Sequence, residues 1–149
     1  TEKIDLSQIL MNGDCVTLLD HGHYENYWKT TKYENSEDLS KKEFDEIWKR
    51  KLALIESKNQ YIALVNDIVV SYCKVSDITN NMANLVVYTS QFKRNHGYGK
   101  RVVSKMVNDC IDRNIVPTYW VSVENYHSKA LLKSLDFISI AKEDVISFD

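Results

Sequence analysis

A short segment of the chain places two glycines and several basic side chains at the expected start of a helix. Gly97 and Gly99 are two of the four glycines in the 149-residue sequence, and Arg94, His96 and Lys100 surround them. Glycines at a helix start let backbone N–H groups converge on an anion, because no Cβ is in the way and the positive end of the helix dipole lies behind them. The segment therefore predicts a binding site for a pyrophosphate group.

The spacing of these glycines does not fit the common nucleotide-binding loops. A Walker loop has the form GxxxxGK followed by serine or threonine, but Arg94 stands in place of its first glycine and Arg101 follows Lys100. A dinucleotide-binding loop has the form GxGxxG, and Val102 replaces its third glycine. Neither kind of nucleotide site is predicted.

Two motifs resemble those of the GNAT superfamily of N-acetyltransferases. Arg94-x-x-Gly97-x-Gly99 is similar to the (Arg/Gln)-x-x-Gly-x-(Gly/Ala) loop that binds the pyrophosphate of coenzyme A in that superfamily. Residues 125–137 resemble its Asn-x-x-Ala/Ser-x-x-Leu-Tyr-x-x-x-Gly-Phe segment, with Asn125, Ser128, Leu131 and Phe137 at the same spacing. Within the superfamily, the chain looks closest to the small single-domain bacterial acetyltransferases.

The resemblance implies that acetyl-coenzyme A is the cofactor and acetyl donor, with no metal. The main chain of residues 87–89 would pair with the pantetheine arm, and a backbone N–H there would polarise the thioester carbonyl. Residues 94–100 would hold the pyrophosphate through main-chain N–H groups, and Asn125 and Ser128 would face the cofactor near its sulfur. The implied cofactor-binding residues are Val87, Tyr88, Thr89, Arg94, Asn95, His96, Gly97, Tyr98, Gly99, Lys100, Asn125 and Ser128.

Two positions differ from the superfamily's pattern. Leu132 stands where a tyrosine often acts as general acid toward the departing thiolate, and Asp136 stands where a glycine precedes the closing phenylalanine. Leu132 cannot donate a proton, but a thiol with a pKa of about 8.5 can leave as the thiolate or be protonated through water. Tyr126 and the Ser128 hydroxyl are the candidate substitutes for the missing acid.

The general base varies in position within the superfamily, so the resemblance does not name one. From its location at the end of a predicted strand, Glu124 is the first candidate to take a proton from the amine, with His127 second and Asp77 third. The competing interpretation is that each is a solvated surface residue. The candidate catalytic residues are therefore Glu124, Tyr126 and Ser128.

The elements that must position these residues follow from the hydrophobic pattern. Before residue 60, a short strand is expected over 15–19, and helical periodicity marks 21–33 and, more clearly, 40–58, where Ser40 and Glu43 form a capping box. After residue 60, the predicted elements are strands 61–65, 68–75 and 82–89, a helix over 99–113, a strand over 118–123, a helix over 126–135, and strands 137–141 and 145–148. Asn66-Asp67 is the expected turn of the first hairpin.

The order of these elements predicts an α+β fold in a single domain over residues 1–149. The strand–helix–strand step over 82–123 requires a parallel pair, so we expect a GNAT-type mixed central β-sheet of about six to seven strands flanked by about four helices. Residues 1–60 would form the helical acceptor-side part and residues 61–149 the acetyl-CoA-binding part.

The bulk composition excludes several classes of partner. A formal net charge of −2 gives no basic face for nucleic acid or an anionic membrane. No apolar run approaches the roughly 20 residues that span a bilayer, and the first residues do not form a signal peptide, so we expect a cytoplasmic protein. Cys15, Cys73 and Cys110 are far apart and lack metal-ligand spacing, which favours reduced thiols in the core.

The resulting hypothesis is an acetyl-CoA-dependent N-acetyltransferase that acts on a primary amine of a small molecule or peptide, as a monomer or homodimer. The acceptor would bind along residues 20–60, where aromatic side chains would form a wall and acidic ones would suit a cationic amine; these are Tyr24, Tyr27, Trp28, Tyr33, Trp48, Glu25, Glu34, Glu37 and Asp38. Two alternatives remain open. One is a coenzyme A-binding module of this fold that has lost transfer, and the other is the catalytic lobe of a larger two-lobed acetyltransferase.

Overall fold

The helices and strands of the computed structural model follow the predicted order closely. It describes residues 3–4, 15–34, 39–94, 96–120, 125–135 and 137. The strands are β1 (Cys15–Leu18), β2 (Gln60–Val65), β3 (Ile68–Thr79), β4 (Met82–Thr89) and β5 (Val116–Thr118). The helices are α1 (Tyr24–Glu34), α2 (Lys41–Lys49), α3 (Leu52–Ser57), α4 (Tyr98–Asp112) and α5 (Tyr126–Ser134).

The strands form one mixed sheet in the order β1-β2-β3-β4-β5. All neighbouring pairs are antiparallel except β4 and β5, which are parallel and joined through α4. The hairpin between β2 and β3 turns at Asn66 and Asp67, whose φ angles of 50° and 65° confirm the predicted tight turn. The α+β fold with a mixed sheet is confirmed, with five strands in the described part of the chain. The two strands predicted over 137–141 and 145–148 lie outside the described residues, apart from Phe137.

The single helix predicted over 40–58 is wrong in one respect, because the chain forms two helices there. Ser40 caps α2 as predicted, with its Oγ accepting a hydrogen bond from the Glu43 backbone N–H at 3.1 Å. α2 then ends at Lys49, and α3 begins at Leu52. The predicted strand over 118–123 also begins earlier, at Val116, so that Pro117 lies inside it.

Two apolar clusters cover the two faces of the sheet. Successive residues of β2 contribute to different clusters, Ile62 to one and Ala63 to the other, as the alternation of side chains along a strand requires. The cluster on the α4 side contains Val102, Val103, Met106, Val107, Cys73, Cys110, Leu85 and Leu135. The cluster under α1 and α2 contains Tyr27, Phe44, Trp48, Ile55, Ile62 and Val69. Cys73 and Cys110 are buried free thiols, as predicted for these two cysteines.

Candidate functional site

The last residues of β4 have an outer edge that β5 does not pair with. Within the described residues, β4 pairs with β5 over Met82–Asn84 only, against Val116–Thr118. On the other side, the Ser90 N–H donates to the Val70 carbonyl at 2.7 Å. Because hydrogen-bonded and non-hydrogen-bonded pairs alternate in an antiparallel ladder, the backbone groups of Val87 and Thr89 point away from β3. The Thr89 carbonyl accordingly accepts a hydrogen bond from Arg94 Nε at 3.3 Å.

The chain between β4 and α4 is a compact loop that ends in a left-handed residue. After a single 3₁₀ turn over Gln91–Lys93, Arg94 is extended and Gly97 caps α4 with a φ of 81°. L-residues rarely adopt that φ, so this position favours glycine. The His96 ring Nδ1 lies 3.0 Å from the Arg94 carbonyl, and this contact also holds the loop together.

The first turn of α4 presents backbone N–H groups at the mouth of the loop. The first hydrogen bond within the helix joins the Arg101 N–H to the Gly97 carbonyl at 3.2 Å. By helix geometry, the N–H groups of Tyr98, Gly99 and Lys100 precede this ladder and have no partner within it. A Cβ on Gly99 would lie 3.2 Å from Thr89 Oγ1, so glycine there lets the helix start approach the end of β4.

Positive charge is concentrated around this helix start. Lys93, Arg94 and Lys100 line the adjacent cleft, and the first turn of α4 contains no acidic residue. Arg101 is only 7% exposed, and its guanidinium carbon lies 4.9 Å from the centroid of the Tyr98 ring. Its Nη2 atom would lie 3.7 Å from a Cβ built on Gly97. Such cations, together with oriented N–H groups, suit a phosphate or pyrophosphate ligand.

These groups meet in one cleft of about 540 Å³ between the end of β4, the start of α4 and α5. Its lining residues are Val87, Tyr88, Thr89, Lys93, Arg94, Gly97, Tyr98, Gly99, Lys100, Asn125, Ser128 and Leu131. The cleft therefore brings together ten of the twelve residues that the sequence assigned to cofactor binding. Of the other two, His96 is described but does not line the cleft, and Asn95 lies outside the described residues. Lys93 and Leu131 line it without having been assigned.

α5 begins at the far wall of the cleft, and Asn125 forms its N-terminal cap. Asn125 Oδ1 accepts a hydrogen bond from the Ser128 backbone N–H at 3.1 Å. Ser128 is half-buried and lines the cleft. The two polar residues of the second motif thus lie beside the proposed cofactor path, and Asn125 also stabilises the helix start.

The candidate acid–base residues are more scattered. Glu124, the first candidate base, lies outside the described residues, as does the side chain of His127. Asp77 is exposed on β3 opposite Asn84, away from the Val87–Thr89 end of β4, so the structure places this third candidate outside the cleft. Tyr126 is 75% exposed and does not line the cleft.

Tyr119 does not line the cleft but lies near two residues that do, and it was not assigned a role in the sequence because it belongs to neither motif. Tyr119 follows β5, and its ring packs against the core under α4. The Val87 backbone and the Ser128 side chain, both of which line the cleft, influence the pKa of its hydroxyl. Burial is the largest influence and raises the pKa of Tyr119, and these two polar groups partly offset that effect. The only sequence signal was a tyrosine near the start of a predicted strand, which core packing explains equally well.

The predicted aromatic acceptor wall is mostly core packing. Tyr27 and Trp48 are each 8% exposed, and the Tyr24 ring makes edge contacts with Phe44 and Trp48 at 5.3 and 5.5 Å between centroids. Trp28 also packs on Phe44. Only Tyr33, 67% exposed, is open to solvent as a wall residue would be. Tyr27 and Trp48 were therefore assigned wrongly, because the apolar stripe that predicts helices also buries them. Of the acidic residues, 37 and 38 lie outside the described part.

Within the described residues, no group of three or more His, Cys, Asp or Glu side chains is placed to hold a metal ion. No helix in that part of the chain has both the length and the apolar character needed to cross a membrane.

Sequence comparison places this architecture in a known family. A sequence model of the GNAT acetyltransferase family matches residues 19–144, which include β2 to β5, the whole cleft and α5. The chain therefore belongs to the GNAT acetyltransferase family, as its two motifs predicted. No curated protein matches the chain significantly.

Solved structures of similar fold cover nearly the whole chain at low sequence identity. AAC(6')-Iy, in complex with the bisubstrate analogue CoA-S-monomethyl-acetylneamine, matches with a TM-score of 0.64 and 14% identity over 93% of this chain and 98% of its own. Glucosamine-6-phosphate N-acetyltransferase from Arabidopsis thaliana matches with 0.65 and 13% identity over 93% and 100%. The aminoglycoside 6'-N-acetyltransferase AAC(6')-IG from Acinetobacter haemolyticus matches with 0.60 and 12% identity over 91% and 98%. These similarities establish the fold.

Proposed function

We propose that the protein binds acetyl-coenzyme A in this cleft and transfers the acetyl group to a primary amine of a small molecule or peptide, in the cytoplasm and as a monomer or homodimer. The observation that carries the proposal is the meeting of two sets of backbone groups in one cleft. The N–H groups of Tyr98–Lys100 suit the pyrophosphate, and the outward backbone of Val87 and Thr89 suits the pantetheine arm.

The thioester carbonyl would lie at the Val87 N–H, which points into the cleft from a fixed strand. A preorganised N–H stabilises the oxyanion that forms when an amine attacks the acetyl carbon. The amine nitrogen gains the acetyl group, the C–S bond breaks, and coenzyme A leaves with the electron pair on sulfur. No side chain of the protein needs to form a covalent bond to the acetyl group during this reaction.

The acceptor would approach from the face of the sheet opposite α4. The residues that contact it would belong to the part of the chain before β5. Tyr88 lines the cleft, and its ring lies 5.5 Å from that of Tyr72 on this face. Burial and the charge of Glu34 both raise the pKa of Tyr88, so the Glu34 carboxylate at the end of α1 acts on this region. A carboxylate beside two aromatic rings suits a cationic amine. Tyr72, Tyr88 and Glu34 thus replace the predicted wall of α1 and α2.

Two measurements test the proposal. Calorimetry with acetyl-CoA tests the cofactor site, and release of free coenzyme A thiol in the presence of an amine panel tests transfer. Binding together with amine-dependent thiol release supports the enzyme. Binding without thiol release from any amine would favour a coenzyme A-binding module, and no binding would refute the site itself.

A further inference from the structure

Two lysine side chains lie beside Tyr72 on the face of the sheet opposite α4. Tyr72 and Lys74 are two residues apart on β3, so their side chains are on the same face. The Lys74 Nζ lies 5.8 Å from the centroid of the Tyr72 ring, and the Lys51 Nζ lies 6.0 Å from the same centroid. Two ammonium groups, one from β3 and one from the junction of α2 and α3, therefore approach a single ring.

The backbone and its neighbours fix the position of Lys51. Its N–H donates to the Trp48 carbonyl at 2.9 Å, and its carbonyl accepts from the Ile55 N–H at 3.0 Å, which ties it to the end of α2 and the start of α3. Its Nζ lies 4.4 Å from the centroid of the Tyr27 ring. That ring is held in turn, because the Tyr27 hydroxyl accepts a hydrogen bond from the buried Gln60 Nε2 at 2.8 Å.

The two lysine charges are partly buried and lack a counter-ion in the described part of the chain. Both side chains are half-buried, and none of the ion pairs between described residues includes Lys51 or Lys74. Burial and the charge of Lys74 lower the pKa of Lys51 to about 8, so the charged forms disfavour each other. Contacts with aromatic rings offset part of this cost, whereas an anion bound by both lysines would remove the repulsion.

This pair of lysines is connected to the cleft through two aromatic rings. The Tyr72 ring lies 5.5 Å from the ring of Tyr88, which lines the cleft. Neither lysine lines the cleft, and among the described residues neither has its ammonium group over the Tyr88 ring. Outward from the cleft, the order along this face is therefore Tyr88, then Tyr72 and then the two lysines.

We propose that the acceptor carries an anionic group, a carboxylate or a phosphate, several bonds away from its amine, and that Lys51 and Lys74 bind this group together. This inference rests on the proposed acetyl transfer and names the chemical class of its acceptor. The amine lies at Tyr88, next to the thioester and under the influence of the Glu34 carboxylate. The anion lies beyond the Tyr72 ring, and the two rings contact the carbon skeleton between them.

The separation of the two subsites restricts the acceptor further. The centroids of the Tyr72 and Tyr88 rings are 5.5 Å apart, and the lysine ammonium groups lie beyond the first of them. An amine and an acid on the same carbon atom are too close together to occupy both subsites, since one C–C or C–N bond spans only about 1.5 Å. An acceptor whose amine and acid are at opposite ends of the molecule fits this arrangement.

The test compares acceptors in pairs that differ only in the anionic group. One set pairs ω-amino carboxylates of increasing chain length with their primary amides, and the other pairs aminoalkyl phosphates with the corresponding amino alcohols. The measurement is kcat/KM from thiol release at saturating acetyl-CoA. The wild type should prefer the anionic member of at least one pair by about 10- to 100-fold, the range for hydrogen bonds to charged groups. The set in which the preference appears identifies the anion.

Lysine variants assign the preference to the two side chains. Lys51→Met and Lys74→Met should each lower kcat/KM for the anionic acceptor by about 10-fold or more, mainly through KM, and leave the neutral acceptor and the affinity for acetyl-CoA nearly unchanged. Removal of the half-buried charge of Lys51 should not unfold the protein, because that charge is disfavoured where it lies. Lys105→Met is the matched control, since Lys105 is a half-buried lysine of α4 that does not line the cleft. It should keep the full preference.

The outcomes separate this inference from the proposed function. Equal kcat/KM for the two members of every pair, with neutral amines still acetylated, would overturn the anion subsite and leave acetyl transfer intact. A preference that persists in both folded methionine variants would also overturn the assignment to Lys51 and Lys74. If the wild type binds acetyl-CoA but releases thiol with no amine of either set or of the wider panel, the proposed transfer itself fails and this inference fails with it.

Discussion

Two substitutions of Gly97 test the anion site, because they differ in charge and share the same backbone strain. Its φ of 81° is unfavourable for any residue with a Cβ, but a Cβ there would meet nothing closer than Arg101 Nη2 at 3.7 Å. Gly97→Ala therefore has room, and we expect a loss of stability of about 1–2 kcal/mol from the left-handed conformation alone. Gly97→Glu carries the same strain and adds a carboxylate at the mouth of the cleft.

The size of the charge effect can be estimated from Coulomb's law. At about 5–6 Å and an effective dielectric constant of about 20, a new carboxylate and one phosphate charge repel by about 3 kcal/mol. A pyrophosphate carries more than one charge, whereas the cleft is open to water and salt. We therefore expect Gly97→Glu to bind acetyl-CoA about 2–4 kcal/mol more weakly than Gly97→Ala, a factor of roughly 30 to 1000 in Kd.

The fold should survive the glutamate as well as it survives the alanine. An acidic side chain in the first turn stabilises a helix by about 0.3–1 kcal/mol, so Gly97→Glu should be no less stable than Gly97→Ala. Both variants should melt a few degrees below the wild type, at about 2–4 °C for each kcal/mol lost. Calorimetry with acetyl-CoA on the wild type and the two folded variants is the assay. Equal affinities for the alanine and glutamate variants would refute an anion site at Gly97.

Three further changes test other parts of the structure. Asn125→Ala removes the acceptor for the Ser128 N–H, so it should lower the free energy of unfolding by about 1 kcal/mol and also weaken turnover. Asn125→Asp, the control, should retain the stability. A normal rate per folded Asn125→Ala molecule would show that Asn125 acts only as a helix cap. Gly99→Ala places a Cβ 3.2 Å from a side-chain oxygen at the end of β4 and should reduce stability by about 1–3 kcal/mol, more than the same substitution at a glycine with open space around it. Denaturant unfolding measures the loss. Wild-type stability of this variant would contradict the close packing. Burial and the charge of Lys74 lower the pKa of Lys51 to about 8, so Lys51→Met should be more stable than the wild type by about 1–3 kcal/mol at pH 7. That advantage should shrink between pH 8 and pH 10.5, because over that range Lys51 of the folded wild type loses the proton whose charge burial disfavours. If Lys51→Met exceeds the wild type in free energy of unfolding by the same amount at pH 8 and at pH 10.5, the penalty is absent.

Much of the fold and of the glycine loop before α4 could be predicted from the sequence, because each depends on neighbouring residues. The left-handed backbone at Asn66, Asp67 and Gly97 follows from residue types that tolerate positive φ. The cap of α2 at Ser40 involves a residue three positions away. The loop motif and the Asn125 motif predicted the family, and the family model confirms it over residues 19–144.

Local patterns were least informative where one side chain suits two environments. Tyr27 and Trp48 have the size and polarity of a substrate wall and equally of a core, and only the packing of α1 and α2 on the sheet decides between them. The division of the predicted helix over 40–58 into α2 and α3 likewise could not be predicted from a local pattern. The apolar stripe continues across Arg50 and Lys51, so periodicity alone gives no sign that the chain bends there.

The sequence by itself determined the element order, the family and the loop that would hold an anion, since these are set by short-range backbone preferences and by motif spacing. The tertiary structure alone decided that, in the described part of the chain, β5 pairs with β4 as far as Asn84 and Val87 lines the cleft. It also decided that Ser128 on α5 lines the same cleft as Val87. Residues on β4, α4 and α5 meet there because strand register and helix packing fix their positions, and neither is encoded within any one of the three segments.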